Sequence, residues 1–163
     1  MKTVFRSVFV AVLLMRPNVA SAADSLSNLR VHLIGEESVA ARVTIDGSDN
    51  KPYAPENSLR RTTKRGDTYF YADGDFDVSL PQGTSHMMFS GGIESVPQNV
   101  VYDSSQSKDH EVTVQMRRWI DMSTRGWYSG DSHVHLRTGG PLNLTMADAL
   151  VAAQAEGVNF VNL

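Results

Sequence analysis

The feature of this sequence that most constrains its fold is a series of short segments in which apolar and polar residues alternate. The clearest is 75–80, where Phe76, Val78 and Leu80 occupy one face of an extended chain and polar residues occupy the other. Such alternation is typical of strands that cover a core with one face and meet water with the other. The pattern predicts further strands at 29–34, 39–45, 67–71, 86–89, 99–102 and 110–116.

Turn-forming residues, such as those at 46–50, separate these segments, and no convincing helix lies between them. Asp73-Gly74 is a strong hairpin signal, so the segments on either side of it are predicted to pair as neighbours. Short strands at this spacing predict a small antiparallel β-sandwich over 26–118.

The pattern changes in the C-terminal segment, 119–163. The sequence His-Val-His at 133–135 predicts a short buried strand, and a capping box at Thr145 predicts the start of a helix. This helix is predicted to end at Gly157, with a second buried strand over 158–163. Its apolar stripe is predicted to comprise Met146, Ala149, Leu150 and Ala153.

A strand, a helix and a strand in this order form the βαβ unit of a parallel sheet. The predicted fold class is therefore α+β and multidomain, with a small antiparallel β-sandwich followed by the first βαβ unit of an incomplete (β/α) barrel. Trp127 and Tyr128 are predicted to pack at the base of this barrel or at its seam with the sandwich.

His133 and His135 carry the most specific chemistry in the sequence. Side chains two residues apart on a strand project to the same face, so these imidazoles can converge on one metal ion. The active sites of parallel barrels lie at the carboxyl ends of strands, where this pair falls. Two histidines at this spacing also occur by chance, and a catalytic zinc takes about three protein ligands. Asp131 either orients a ligating histidine through its other ring nitrogen or supports the loop.

Residues 126–135, Gly-Trp-Tyr-Ser-Gly-Asp-Ser-His-Val-His, resemble the opening of the PHP (polymerase-and-histidinol-phosphatase) domain of exported metallohydrolases. Residues 147–161 are similar to that family's first helix and second strand. The resemblance implies that His133 and His135 are ligands of a multinuclear metal centre that hydrolyses phosphoesters or related bonds with a metal-activated water. The family's later ligands and its catalytic base lie beyond these motifs. The catalytic residues are therefore unknown, and the chain alone is expected to be inactive.

The sandwich segments resemble a second kind of module. Residues 41–45, 51–55, 69–74 and 78–83 are similar to carboxypeptidase-regulatory-like, transthyretin-like sandwich modules. Such modules often precede exported hydrolase domains. The resemblance implies a structural role or a role in substrate presentation.

The N-terminus predicts export. Lys2 and Arg6 precede an apolar run at 8–15, and Ala20-Ser21-Ala22 supplies a cleavage site, which is the layout of a signal peptide over 1–22. The run is too short to span a membrane. Cleavage near Ala22 leaves 12 Lys and Arg against 18 Asp and Glu, so no nucleic-acid partner is expected of the secreted or periplasmic protein. The absence of cysteine excludes thiol catalysis and cysteine-ligated metals.

Two charged segments admit two interpretations each. Asp73, Asp75 and Asp77 form either a calcium-binding run or the exposed acidic face of a hairpin, and the spacing of an EF-hand is absent. The basic residues at 60–65 either bind an anion or form a solvated loop.

Two functions from different classes fit these observations. The first is an exported metal-dependent hydrolase, phosphoesterase or amidohydrolase-like, present as its N-terminal part and acting on a small-molecule or polymeric ester or amide. Its divalent ions would be zinc, manganese or iron, since imidazoles with later carboxylates suit all three. The alternative is a non-catalytic exported β-sandwich that binds a partner or a carbohydrate and carries a degenerate tail.

Overall fold

A computed structural model of the chain describes residues 26–35, 39–107, 110–136 and 144–162. The predicted signal peptide, 1–22, lies outside the described residues. Regular structure in the described part consists mostly of strands, together with one α-helix and one 3₁₀ turn. The strands are β1 (Leu26–Ile34), β2 (Ala40–Asp46), β3 (Arg60–Thr62), β4 (Thr68–Asp73), β5 (Phe76–Pro81), β6 (Thr84–Ser90), β7 (Ser95–Val96), β8 (Gln98–Asp103), β9 (Glu111–Gln115), β10 (Arg117–Arg118), β11 (Gly130–Asp131) and β12 (Phe160–Val161); the helix is α1 (Met146–Ala155) and the 3₁₀ turn is Ser123–Arg125.

Two sheets form a sandwich around one core. The smaller has the strand order β5-β1-β9, in which β5 is antiparallel and β9 is parallel to β1. The larger has the order β3-β4-β2-β6-β8, with every neighbouring pair antiparallel. The predicted sandwich architecture agrees with these sheets. The prediction that it is antiparallel throughout is wrong, because β9 runs beside β1 in the same direction.

Alternate residues of the facing strands build the core. Leu29 and Val31 of β1 are fully buried and belong to the same apolar cluster as Val43 of β2 and Phe89 of β6. In β5 the burial alternates as the sequence predicts, with apolar residues inward and the intervening polar residues exposed. The period of two in the sequence therefore corresponds to one core-facing row on each strand.

The predicted hairpin at Asp73-Gly74 is wrong. β4 lies in the larger sheet and β5 in the smaller one, so the chain crosses from one sheet to the other at this turn. Gly74 has a φ of 80°, and its N–H donates to the Val39 carbonyl at 2.8 Å. An Asp-Gly pair supplies the left-handed backbone that a sharp reversal needs, but it does not determine which strand becomes the hydrogen-bonded neighbour.

Helix α1 begins where the sequence predicts. The Thr145 hydroxyl accepts a hydrogen bond from the Asp148 N–H at 3.1 Å, and the Asp148 carboxylate accepts from the Thr145 N–H at 2.8 Å. The predicted apolar stripe is correct for Ala149, which is buried, and wrong for Met146 and Leu150, which are 59% and 48% exposed. The other buried position of the helix is Ala155. The helix thus approaches the sheet through its smallest side chains. Among the described residues, no helix is long and apolar enough to cross a membrane.

The predicted fold class is wrong for the C-terminal segment. β11 and β12 pair in parallel over only two residues each, and Phe160 in the predicted buried strand is 62% exposed. Helix α1 packs on β2 and β4 of the larger sandwich sheet. In a barrel unit the helix would cover the sheet formed by its own flanking strands. The described chain is therefore a mostly β protein with several sheets, and this segment is not the βαβ unit of a (β/α) barrel.

Candidate metal site

His133 and His135 follow β11 and lie outside any strand, so the predicted strand through them is wrong. The segment is nevertheless held against the chain after β12. The Asn162 N–H donates to the Asp131 carbonyl at 3.0 Å, and the Val134 N–H donates to the Asn162 carbonyl at 3.2 Å. These two bonds fix the backbone on both sides of His133.

The two imidazole rings lie next to each other on the protein surface. Their centroids are 4.5 Å apart and their planes meet at 84°. Both residues are exposed. Two imidazoles that bind one ion through nitrogens about 2.1 Å from it have centroids about 5 Å apart. The donor chemistry of His133 and His135 suits a divalent ion, and the separation of their rings is close to this value.

Asp131 lies beside the pair and acts on its backbone. One carboxylate oxygen, Oδ1, accepts a hydrogen bond from the His133 N–H at 3.0 Å. Within the described residues this carboxylate makes no hydrogen bond to either imidazole. Asp131 therefore fixes the direction of the chain at the first histidine, and its orientation of a ligating ring stays a prediction.

Sequence reasoning missed two asparagines that tie this segment to β12. The Asn159 side chain accepts a hydrogen bond from the Ser129 N–H at 2.9 Å, and the Ser129 hydroxyl donates to the Gly157 carbonyl at 2.7 Å. The Asn162 side chain donates to the Ser132 carbonyl at 3.3 Å. The only signal in the sequence is an asparagine on each side of an apolar dipeptide, which does not by itself identify a partner.

The predicted packing of Trp127 and Tyr128 in an interior seam is wrong. Their side chains are 69% and 59% exposed. The Tyr128 ring makes an edge-to-face contact with Phe160, with centroids 5.8 Å apart. Since Phe160 is also exposed, the aromatic residues beside the histidines form a surface contact and not a buried plug.

Two imidazoles supply only part of a catalytic coordination sphere. Across residues 26–35, 39–107, 110–136 and 144–162, no group of three or more His, Asp or Glu side chains is placed to hold a metal ion. A catalytic zinc ion takes about three protein ligands and keeps one position for water. Further ligands for an ion at His133 and His135 would have to come from outside the described residues.

Two carboxylates of the acidic run, those of Asp75 and Asp77, contact side chains of β1. Asp75 forms a hydrogen bond with His32 Nδ1 at 2.7 Å, and Asp77 pairs with Arg30 at 2.7 Å. The hydrogen bond from His32 is the main cause that lowers the pKa of Asp75 from its usual value. These contacts favour the interpretation of a charged outer strand face over that of a calcium site.

The basic residues at 60–65 are similarly explained by local structure. The Arg60 guanidinium donates to the Ala54 carbonyl at 3.2 Å, and Lys64 and Arg65 lie in an exposed turn. Arg60 and Arg61 lie on the edge strand β3, so the predicted loop is present only at 64–66; the arrangement favours a solvated segment over an anion site.

Comparison of the chain with protein-family models, with curated proteins and with solved structures gives no match.

Proposed function

We propose that this chain is the N-terminal part of an exported metal-dependent hydrolase, with His133 and His135 as two ligands of a divalent metal ion. The observation that carries the proposal is the exposed pair of imidazoles with centroids 4.5 Å apart. The resemblance of 126–135 to the opening of the PHP domain supports the same assignment from the sequence.

The roles of the chain's own residues follow from their positions. His133 and His135 bind the ion through neutral imidazole nitrogens, and Asp131 holds the backbone that presents the first of them. Zinc, manganese and iron all suit imidazoles that are joined by later carboxylates. A divalent ion held by His133 and His135 would supply Lewis-acid chemistry and would activate water for attack on an ester or amide.

Export is part of the proposal and is supported by the sequence alone. The charged start, apolar run and small-residue cleavage site of 1–22 support a mature protein in the periplasm or outside the cell. The substrate is a small-molecule or polymeric ester or amide. Because two imidazoles leave the coordination sphere incomplete, we expect no hydrolysis by the isolated chain.

Calorimetric titration with zinc tests the metal site. We expect saturable binding by the mature chain, and His133→Ala or His135→Ala should weaken it by at least about tenfold, because each removes a ligand. His86→Ala is the matched control, since His86 is an exposed histidine on the sandwich, on β6. Equal zinc affinity in the wild-type chain and in both site variants would contradict the proposal.

The coding sequence downstream of Leu163 tests the hydrolase assignment separately. An in-frame continuation with further Asp, His and Glu motifs is the expected result, because it would complete the ligand set. A stop codon directly after Leu163 would instead favour a non-catalytic exported sandwich module that binds a partner or a carbohydrate.

A further inference from the structure

A cleft of about 470 Å³ opens where the sandwich meets the segment that follows it. Its walls come from the end of β1, the start of β2, the loop around Gly91, the segment 115–121 and the last turn of α1. The volume falls within the range of small-ligand sites in proteins. None of the residues of the proposed metal site lines it, so this cleft is a separate feature.

One wall of the cleft is the indole ring of Trp119, held in a fixed position. Its Nε1 donates to the Ile93 carbonyl at 2.9 Å, and its backbone N–H donates to the Glu94 carbonyl at 3.0 Å. The residue nevertheless remains 65% exposed. An exposed and anchored indole offers a flat apolar surface at little cost in side-chain entropy.

An arginine without an ion-pair partner among the described residues also lines the cleft. Arg118 pairs with Asp121 at 3.5 Å, whereas Arg117 makes no ion pair or side-chain hydrogen bond within the part of the chain that the structure describes. The cleft therefore carries one uncompensated positive charge in a protein whose formal net charge is −3. A guanidinium in this position matches a carboxylate, which it can bind through two parallel hydrogen bonds.

The remaining polar groups in the cleft provide both donors and acceptors. The Ser95 hydroxyl oxygen accepts from the Gly91 N–H at 3.3 Å, which leaves its own O–H to donate. The Gln115 Nε2 donates to the Met116 carbonyl at 3.3 Å, which leaves its amide oxygen to accept. The amide of Gln154 on α1 also lines the cleft. This mixture suits a ligand with several hydroxyl groups.

From these three features we infer that the cleft binds a saccharide that carries a carboxylate. The indole of Trp119 packs against the C–H face of the sugar ring, Arg117 binds the carboxylate, and the amides and the serine hydroxyl bind the sugar hydroxyls. The inference does not depend on the metal site, because the two sites share no residue.

Tryptophan fluorescence of the full chain tests the inference. The chain has two tryptophans, so Trp127→Phe leaves Trp119 as the only source of the signal. Titration of this variant with glucuronate should give a saturable change. Glucose, which carries a hydroxymethyl group in place of the carboxylate, should bind about tenfold more weakly or not at all. The absence of a saturable change with glucuronate, or equal binding of both sugars, would overturn the inference.

Two substitutions in the same background locate the site. Arg117→Gln should weaken glucuronate binding by about tenfold, because it removes a charge-assisted hydrogen bond, and Gln154→Ala should weaken it by a smaller factor. Arg125→Gln is the matched control, since Arg125 is exposed and lies outside the cleft. Unchanged affinity in both cleft variants, or an equal loss in the control, would place binding elsewhere.

Discussion

The carboxylate of Glu156, the residue that follows helix α1, accepts a hydrogen bond from the Tyr71 hydroxyl of β4 at 3.0 Å. The same oxygen lies 3.3 Å from the Arg42 guanidinium of β2. Burial is the main cause that raises the pKa of Tyr71 above its usual value, and the charge of Glu156 raises it further. This contact joins the C-terminal helix to the larger sandwich sheet.

The Tyr71 contact predicts a loss of stability at alkaline pH. In the unfolded chain tyrosine ionises near pH 10, whereas in the folded chain Tyr71 ionises at higher pH. A group with a raised pKa contributes stability below its unfolded pKa and loses that contribution as the pH rises. We expect the melting temperature of the wild-type chain to fall above about pH 10 more steeply than that of Tyr71→Phe.

Tyr128→Phe is the control for this measurement, because Tyr128 is exposed and lies away from Glu156. In Tyr128→Phe, the melting temperature should fall above about pH 10 as steeply as in the wild-type chain. At neutral pH, Tyr71→Phe should destabilise the chain by about 1 kcal/mol through the lost hydrogen bond. Identical alkaline slopes in the wild-type chain and Tyr71→Phe would contradict the assigned contact.

The close approach of the sandwich to the end of α1 predicts an effect at Gly92. Gly92 and Gly74 have nearly the same positive φ, at 81° and 80°. A Cβ at Gly92 would overlap the Glu156 carbonyl, whereas a Cβ at Gly74 would meet open space. Gly74→Ala should therefore cost about 1–2 kcal/mol for its backbone conformation, and Gly92→Ala should cost more.

Urea unfolding of the two alanine variants compares these costs directly. Because both carry the same conformational penalty, the difference between them measures the steric overlap with α1. Equal free energies of unfolding would mean that α1 does not lie against this loop.

A buried hydroxyl in the core predicts a substitution that is tolerated. Ser85 on β6 is fully buried, and its hydroxyl has no hydrogen-bond partner within the described residues. An unpaired buried hydroxyl costs free energy, so Ser85→Ala should leave stability unchanged or raise it by about 1 kcal/mol. Ser104→Ala is the contrast, because the Ser104 hydroxyl accepts from the Gly83 N–H at 2.9 Å. Ser104→Ala should lower the free energy of unfolding by about 1 kcal/mol, measured by thermal or urea unfolding. A larger loss in Ser85→Ala than in Ser104→Ala would contradict the prediction.

The hydrogen bond between His32 and Asp75 predicts part of the acid sensitivity of the fold. A carboxyl group whose folded pKa is lowered contributes stability above its unfolded pKa, and that contribution disappears as the pH falls through the folded pKa. Asp75→Asn should therefore show a shallower fall in melting temperature from about pH 5 to pH 3 than the wild-type chain. Asp73→Asn, an exposed substitution on the adjoining turn, should follow the wild-type profile. A wild-type slope in Asp75→Asn would contradict this prediction.

The local patterns in the sequence predict individual elements well and their assembly poorly. The alternation at 75–80 corresponds to the buried row of β5, and the capping box at Thr145 corresponds to the start of α1. Both patterns depend on residues a few positions apart. The Asp73-Gly74 turn, in contrast, changes the chain from one sheet to the other, which depends on the distant strands that pair with β4 and β5.

The predicted βαβ unit of the C-terminal segment is wrong for the same reason, since the packing of its helix also depends on distant residues. The order of strand, helix and strand predicts a parallel unit with the helix on its own sheet. Here α1 packs on the sandwich, because the small side chains of Ala149 and Ala155 allow a close approach. The Glu156 carboxylate also contacts Tyr71 and Arg42 of the larger sheet. These contacts join residues more than 80 positions apart in the chain, which a local pattern cannot reveal.

The metal site at His133 and His135 stays a prediction, whereas the contacts that support this segment could not be predicted from the sequence. The prediction of two rings on one face depended on a strand that is absent at His133 and His135, although the two rings do lie next to each other. The bonds from Asn159 and Asn162 that hold the segment connect it to residues 30 positions away. No spacing rule in the sequence identifies such partners.

Side-chain ¹⁵N spectra of the histidines during zinc addition test the central claim most directly. The chain contains five histidines, so the remaining three serve as internal controls. We predict that zinc shifts a ring nitrogen of His133 and of His135 at the same metal concentration and leaves the three others unchanged. Unchanged ring nitrogens at these two residues, with zinc present in excess, would contradict the account.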